Sequence, residues 1–126
     1  MLLVERFFGD RAQGDLATFL SFLGNDAEAD LTELDRPYAA VYTGREQLEM
    51  LFKQMAGPWR EVRFTTTNPL ADGDNVILDV ERVAYSDSSF GFSSTATVRV
   101  VVRAGKIVYW KLFLERADAL TAAASA

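Results

Sequence analysis

The chain is predicted to fold as an α+β domain: a strongly curved antiparallel sheet, shaped into a cone and packed against three N-terminal helices, with a pocket at the cone mouth. Three observations predict this. Apolar residues recur at three- and four-residue steps through the first half of the chain, which marks helices that bury one side. From Trp59 onward, β-branched and aromatic residues come in runs separated by short, turn-rich connections. At 126 residues the chain suits one domain, residues 1–126, long enough to bury a core without disulfides or metals.

Taken in order, Leu3, Val4, Phe7 and Phe8 form a first apolar stripe, and Leu16, Phe19, Leu20 and Leu23 a second. Gly14 and Asp15 divide them, and the Asp15 carboxylate suits an N-cap, so two successive helices are expected. After the turn-like Gly24-Asn25-Asp26, residues 27–34 read as a short edge strand, which Asp35-Arg36-Pro37 breaks. Thr43-Gly44-Arg45-Glu46 reads as a capping box opening a third helix, whose stripe is Leu48, Leu51, Phe52 and Met55 and which Gly57-Pro58 ends. Four strands follow, in WREVRFTTT, NVILDVERVAY, FSSTATVRVVV and KIVYWKLFLE. Their connections ADGD, SDSSFG and RAG predict consecutive antiparallel hairpins. The Ala-rich tail from Ala117 to Ala126 is expected to fray.

Composition narrows function by exclusion. A net charge of −5 without a run of Lys or Arg lacks the footprint of a nucleic-acid binder. No apolar run approaches the ~18 residues that cross a bilayer, and MLLVERFFGDRAQGD acquires charge too early for a signal peptide, so no membrane partner and a cytoplasmic location are expected. With no Cys and no His, thiolate nucleophiles, imidazole bases and the usual zinc ligands are missing, so no metal site and no cofactor are expected. Any catalysis falls to Asp, Glu, Tyr, Lys or Arg.

The order of elements, with GDL at 14–16, YTGREQL at 42–48 and GKIVYWKLF at 105–113, resembles the nuclear-transport-factor-like superfamily, in particular its SnoaL-like polyketide cyclase and limonene epoxide hydrolase branches. The resemblance implies a cone-shaped pocket for a hydrophobic metabolite and a homodimer through the outer sheet face. Epoxide hydrolases of this group carry Arg-x-Asp on one strand and a second Asp two residues beyond the last-strand Trp. Here the Arg is Arg82, while Ala84 and Leu112 stand at the two Asp positions. A methyl and an isobutyl group neither take nor give protons, so epoxide hydrolysis by that route is not expected. SnoaL-type cyclases rest on a carboxylate near the position of Leu112. The ketosteroid isomerase pattern places a Tyr on the first helix, where only Phe7 and Phe8 stand, and a base near Asp30 or Leu31, of which only Asp30 can serve.

Strand alternation sets Val80 and Ala84 beside Arg82, and Val108, Leu112 and Leu114 beside Trp110, on the cavity face; the helices add Phe7, Phe19, Leu51, Phe52 and Met55, and Tyr38 lies over the mouth. For Arg82 two readings stand: a fixed cation for a ligand carboxylate, enolate or phosphate, or an internal ion pair with Asp30, Glu33 or Asp35. Trp110 either stacks on a planar ligand or fills core. Two functions follow. One is a cyclase-, isomerase- or hydrolase-type enzyme with Arg82 stabilising negative charge and Asp30 moving a proton, around a substrate site of Trp110, Tyr38, Leu112, Ala84, Val80, Phe7 and Phe52. The other is a ligand-binding or dimeric interaction module without catalysis.

Overall fold

The structure, a computed structural model, describes residues 2–34, 39–56, 61–85 and 91–125. The N-terminal third is helical: α1 spans Leu2–Phe7, α2 Asp10–Gly14 and α3 Leu16–Ser21. The single expected first helix is thus two short ones, broken at Phe8 and Gly9. The Asp15 carboxylate caps α3 by accepting from the Thr18 amide at 3.0 Å and from the Thr18 hydroxyl. Asp15→Ala is expected to cost about 1 kcal/mol, the usual worth of such a cap, read as a lower midpoint in urea with an unchanged slope.

Strand β1, Leu23–Asp30, and the three-residue β2, Val41–Thr43, precede α4, Gly44–Ala56. The helix starts directly after Thr43, where the expected capping box puts it, but the hydrogen bonds of the box are not the ones formed. The Thr43 amide donates to Gln47 Oε1 at 2.7 Å, and the Thr43 hydroxyl donates instead to Glu28. The displacement by one residue follows from Gly44, whose φ of +83° turns the chain into the helix through a region that L side chains avoid. The expected Gly57-Pro58 stop lies outside the described residues.

Strands β3 (Glu61–Asp72), β4 (Asn75–Tyr85), β5 (Gly91–Arg103) and β6 (Lys106–Phe113) form the antiparallel series, and α5 (Arg116–Ala124) ends the chain. The β5–β6 turn is Ala104-Gly105, both with positive φ of 51° and 75°, as a two-residue hairpin loop that follows strand twist requires. The sheet order is β2-β1-β6-β5-β4-β3. The first expected strand is therefore not at the edge. β1 begins at Leu23, four residues before the predicted start, and lies between β2 and β6, parallel to β6. The sheet is mixed where a wholly antiparallel one was predicted.

One face of the sheet carries Val76, Leu78 and Val80 of β4, Val98 and Val100 of β5, and Trp110 of β6 into a core shared with Val4, Phe7, Phe19 and Leu48 of the helices. The β6 register shifts against β5, where Val101 pairs with Tyr109 and Val102 with Ile107. An extra residue at Val108 reverses the alternation below it, so Ile107 joins Trp110 in the core, opposite to the simple period-2 reading.

The expected fraying is not seen over residues 117–124, which belong to a helix. Helix α5 lies on the outer sheet face, burying Ala119 against Ile77 and Phe113. Arg116 fastens it: Nη1 donates to Asp79 Oδ1 at 3.0 Å and Nη2 to the Asn68 carbonyl at 2.9 Å. Asn68 has φ +53° at a register shift in β3, a bulge that turns its side chain to donate to Asp79 Oδ2 at 2.9 Å. Thr97 Oγ1 donates to the same carboxylate at 2.8 Å. No helix among the described residues is long and apolar enough to cross a membrane.

Candidate ligand site

Between the helical layer and the inner sheet face lies a cavity of about 340 Å³. Its position follows from the local folding: short helices α1–α3 and the stripe of α4 lean on the sheet's inner face without filling the end where Arg82 emerges. Its floor is aromatic. Phe7 sits 5.1 Å from Trp110 and 5.2 Å from Phe19, ring centre to ring centre, and Phe52 lies 5.1 Å from Phe19. All four rings line the cavity, with Val80 and Leu112 from the sheet, Leu114 just past the end of β6, and Leu51 and Met55 from α4. Trp110 is nearly fully buried, so it serves at once as core and as wall.

Among the described lining residues, the polar side chains are Gln13, Arg82, Ser94 and Thr95, and none is a carboxylate. Arg82 Nη2 donates to the Met55 carbonyl at 2.9 Å, at the last turn of α4. Gln13 Nε2 donates to the Phe7 carbonyl at 2.8 Å, bracing α2 against α1. Ser94 is the direct cross-strand partner of Arg82 on β5, and Phe64 its partner on β3; both also line the cavity.

The other expected site residues fall elsewhere. Ala84 is fully buried on the Arg82 side of β4 but does not reach the cavity lining. Tyr38 lies outside the described residues, as does Asp35. Asp30 is a correction. On β1, Ala27, Ala29 and Leu31 turn inward, which sends Glu28 and Asp30 to the opposite face, away from Arg82. There the Asp30 carboxylate accepts from the Thr32 amide at 3.0 Å and hydroxyl at 2.6 Å and pairs with Lys111 at 3.7 Å. Burial raises its pKa, but the Thr32 hydrogen bonds and the Lys111 charge outweigh it and hold the carboxyl below its ordinary value. Such a group is a weakened base on the wrong face. Glu33, the second acid considered for Arg82, accepts from the Leu114 amide at 3.1 Å and is not on the lining.

Gln13, Phe64 and Ser94 escaped the sequence reading. Ser94 was findable: with Arg99 turned outward, Val98 and Val100 point inward, and the same parity carries Ala96 and Ser94 to the cavity face. Gln13 carried no such signal. Among the described residues no cluster of three or more Asp, Glu, His or Cys is placed to hold a metal ion.

A six-stranded mixed sheet wrapped over helices, with an apolar cavity between them, defines a cone-shaped α+β fold. Residues 4–110 match the SnoaL-like domain family, and the chain belongs to that family. No curated protein matches the sequence. Solved structures share the fold at low identity. One is the Mycobacterium tuberculosis protein RV0760c in complex with estradiol-17β-hemisuccinate, at 15% identity and a TM-score of 0.74, covering 91% of this chain and 94% of that one. A second is TerC co-crystallised with polyporic acid, at 13% identity and a TM-score of 0.75, with coverage of 93% and 92%. A third is a putative SnoaL-like polyketide cyclase from Jannaschia sp., at 13% identity and a TM-score of 0.73, with coverage of 96% and 88%. An NTF2-like protein of unknown function from Burkholderia pseudomallei aligns at 14% identity with a TM-score of 0.76, over 96% and 94%.

Proposed function

We propose that this protein binds a hydrophobic, flat small molecule in the cone cavity and does not perform the carboxylate-driven chemistry of its catalytic relatives. The observation that carries this reading is the lining itself: an open apolar chamber with six aromatic side chains and no Asp or Glu among its described residues. A volume of about 340 Å³ sits at the small end of the range typical of ligand pockets, which suits one to three fused rings. Ligands named with two structural neighbours, estradiol-17β-hemisuccinate and polyporic acid, support a small-molecule role. The cyclase-, isomerase- or hydrolase-type reading keeps Arg82 as a stabiliser of negative charge, but it has no proton carrier among the described lining residues.

The test is thermal. Saturating 2-naphthamide or 2-naphthoate is expected to raise Tm, because a ligand bound only by the folded state stabilises it by about 2.7 kcal/mol at a hundredfold excess over Kd. Leu112→Trp, which puts an indole into the chamber, is expected to abolish that rise. If neither compound shifts Tm, or if the filled variant responds equally, the cavity is not the binding site. Recovery of a chemically altered compound would instead restore the enzyme reading.

The proposal includes a homodimer through the outer sheet face, with a smaller footprint than the sequence suggested, because α5 already covers Ile77 and Phe113. The remaining area carries Glu81 and Tyr85, both exposed, beside Arg63, which is paired with Val83 between them, and this mixed charge is complementary to a second copy turned by a two-fold axis. Sedimentation at micromolar concentration is expected to show the dimer and Tyr85→Arg to weaken it; a monomer at that concentration would refute it. A cytoplasmic location belongs to the same proposal and is checked by cell fractionation.

A further inference from the structure

We infer that Gln13 selects the ligand: its amide oxygen is an oriented hydrogen-bond acceptor in the cavity wall, so the ligand is a flat, neutral ring system that carries a hydroxyl donor, as a phenol does. The inference rests on the cavity being a binding site, and it adds which polar group the ligand brings and which residue meets it.

The acceptor is oriented by the chain itself. Phe7 is the last residue of α1, so its carbonyl is one of the last-turn groups that find no donor inside the helix. Gln13 Nε2 donates to it from α2 at 2.8 Å. A backbone carbonyl only accepts, so the amide must present its nitrogen there and turn its oxygen away; the reverse orientation would set two acceptors against each other. Gln13 lines the cavity, and among the described residues its oxygen, Oε1, receives no hydrogen bond.

What a ligand does to this oxygen decides the selection. Gln13 is half-buried, so solvent can serve Oε1 in the free protein. A ring system that fills the chamber takes that solvent away. An acceptor then left without a donor costs its full desolvation, whereas a hydroxyl on the ligand restores the bond. The other polar lining groups do not replace it. Arg82 carries donors and no acceptor, and its Nη2 is tied to the Met55 carbonyl at the end of α4. Ser94 and Thr95 are exposed, so water satisfies their hydroxyls with or without a ligand. The remaining described lining residues are aliphatic or aromatic. Among them are Val62 and Phe64 of β3, the strand on which α2 packs, so the ring that bears the hydroxyl meets apolar side chains beside Gln13.

The deciding experiment is a cycle. One side compares 2-naphthol with 2-methoxynaphthalene, which differ in whether the oxygen carries a hydrogen; the other compares wild type with Gln13→Met, which keeps the side chain's length and removes the amide. Equilibrium dialysis at pH 7 gives the ratio of the ether's Kd to the alcohol's for each protein, and comparing the two ratios cancels the differences in ligand size and solubility. The ratio is expected to fall about 3- to 10-fold in Gln13→Met, the worth of one neutral hydrogen bond. Should loss of the Phe7 contact unfold that variant, Gln13→Lys decides: its ammonium still donates to the Phe7 carbonyl and offers no acceptor, and the same fall is expected. A smaller change in the folded variant, or none, overturns the Gln13 subsite and leaves the apolar pocket standing. Binding of neither compound by the wild-type protein overturns the pocket reading itself, and the subsite with it.

Discussion

Phe7→Ala is expected to lower stability by about 3–5 kcal/mol, the range for truncating a fully buried aromatic, and to drop Tm by roughly 10–20 °C for a domain of this size. Phe7 has no exposed surface and sits at the centre of four rings, with centroids of Phe8, Phe19, Phe22 and Trp110 at 4.9, 5.2, 5.9 and 5.1 Å. Three of these contacts are edge-on, the arrangement that the ring quadrupoles favour. The ring also lines the ligand cavity, so its loss joins a new void to an existing one, and neither helix α1 nor the sheet can close it alone. Urea unfolding of Phe7→Ala beside Leu2→Ala checks this. Leu2 is on the same helix but 58% exposed and is expected to change stability by less than about 0.5 kcal/mol. A Phe7→Ala cost under about 1.5 kcal/mol would show that the cluster does not anchor the helices to the sheet.

That same cluster shows why so much of the fold is legible. Phe7, Phe19 and Leu48 announce helices by spacing, and hairpins such as Ala104-Gly105 are local events whose turn chemistry sits in adjacent residues. What stayed hidden depends on distant parts of the chain. The parallel pairing of β1 with β6 joins residues some eighty positions apart, and no local signal near Leu23 specifies it. The inversion of parity at Val108 arises from a bulge against β5, invisible to a strict two-residue alternation. The resemblance alone puts Asp30 in the pocket, whereas the buried Ala29 and Leu31 on either side of Asp30 fix its parity outward. For the site, the aromatic wall and Arg82 follow from alternation, and Ser94 is within reach of the same parity on β5, whereas Gln13 reaches the cavity through helix packing that no local pattern specifies.

Helix α5 is the remaining case, and it carries the second large prediction. Its sequence, RADALTAAA, favours helix by composition, but nine Ala-rich residues in isolation do not hold together in water. The missing stabilisation is tertiary: Ala119 packed on Ile77 and Phe113, and Arg116 bound to Asp79. Asp79 is the hub, accepting from Asn68, Thr97 and Arg116. Asp79→Ala is expected to cost about 2–3 kcal/mol, because it leaves the buried Thr97 hydroxyl without its acceptor and removes the carboxylate that Asn68 and Arg116 also share. Asp79→Asn, which keeps an acceptor but drops the charge, is expected to cost about 1 kcal/mol.

The two variants also separate by pH. Burial alone would raise the Asp79 pKa, but the donors Asn68, Thr97 and Arg116 and the Arg116 charge hold it below the ordinary 3.8. A carboxyl whose folded pKa is depressed binds its proton more readily when unfolded, so its stabilisation is fully present above the unfolded value and is lost as pH falls through the folded one. The stability gap between wild type and Asp79→Asn is therefore expected to be constant from pH 7 to about pH 5 and to shrink below about pH 4, as the wild-type carboxyl takes up the proton that makes it resemble the amide. Urea midpoints at pH 6 and pH 3 measure the gap. A gap of equal size at both would mean that the Asp79 charge does not hold the helix, and that α5 stays on the sheet through Ala119 alone.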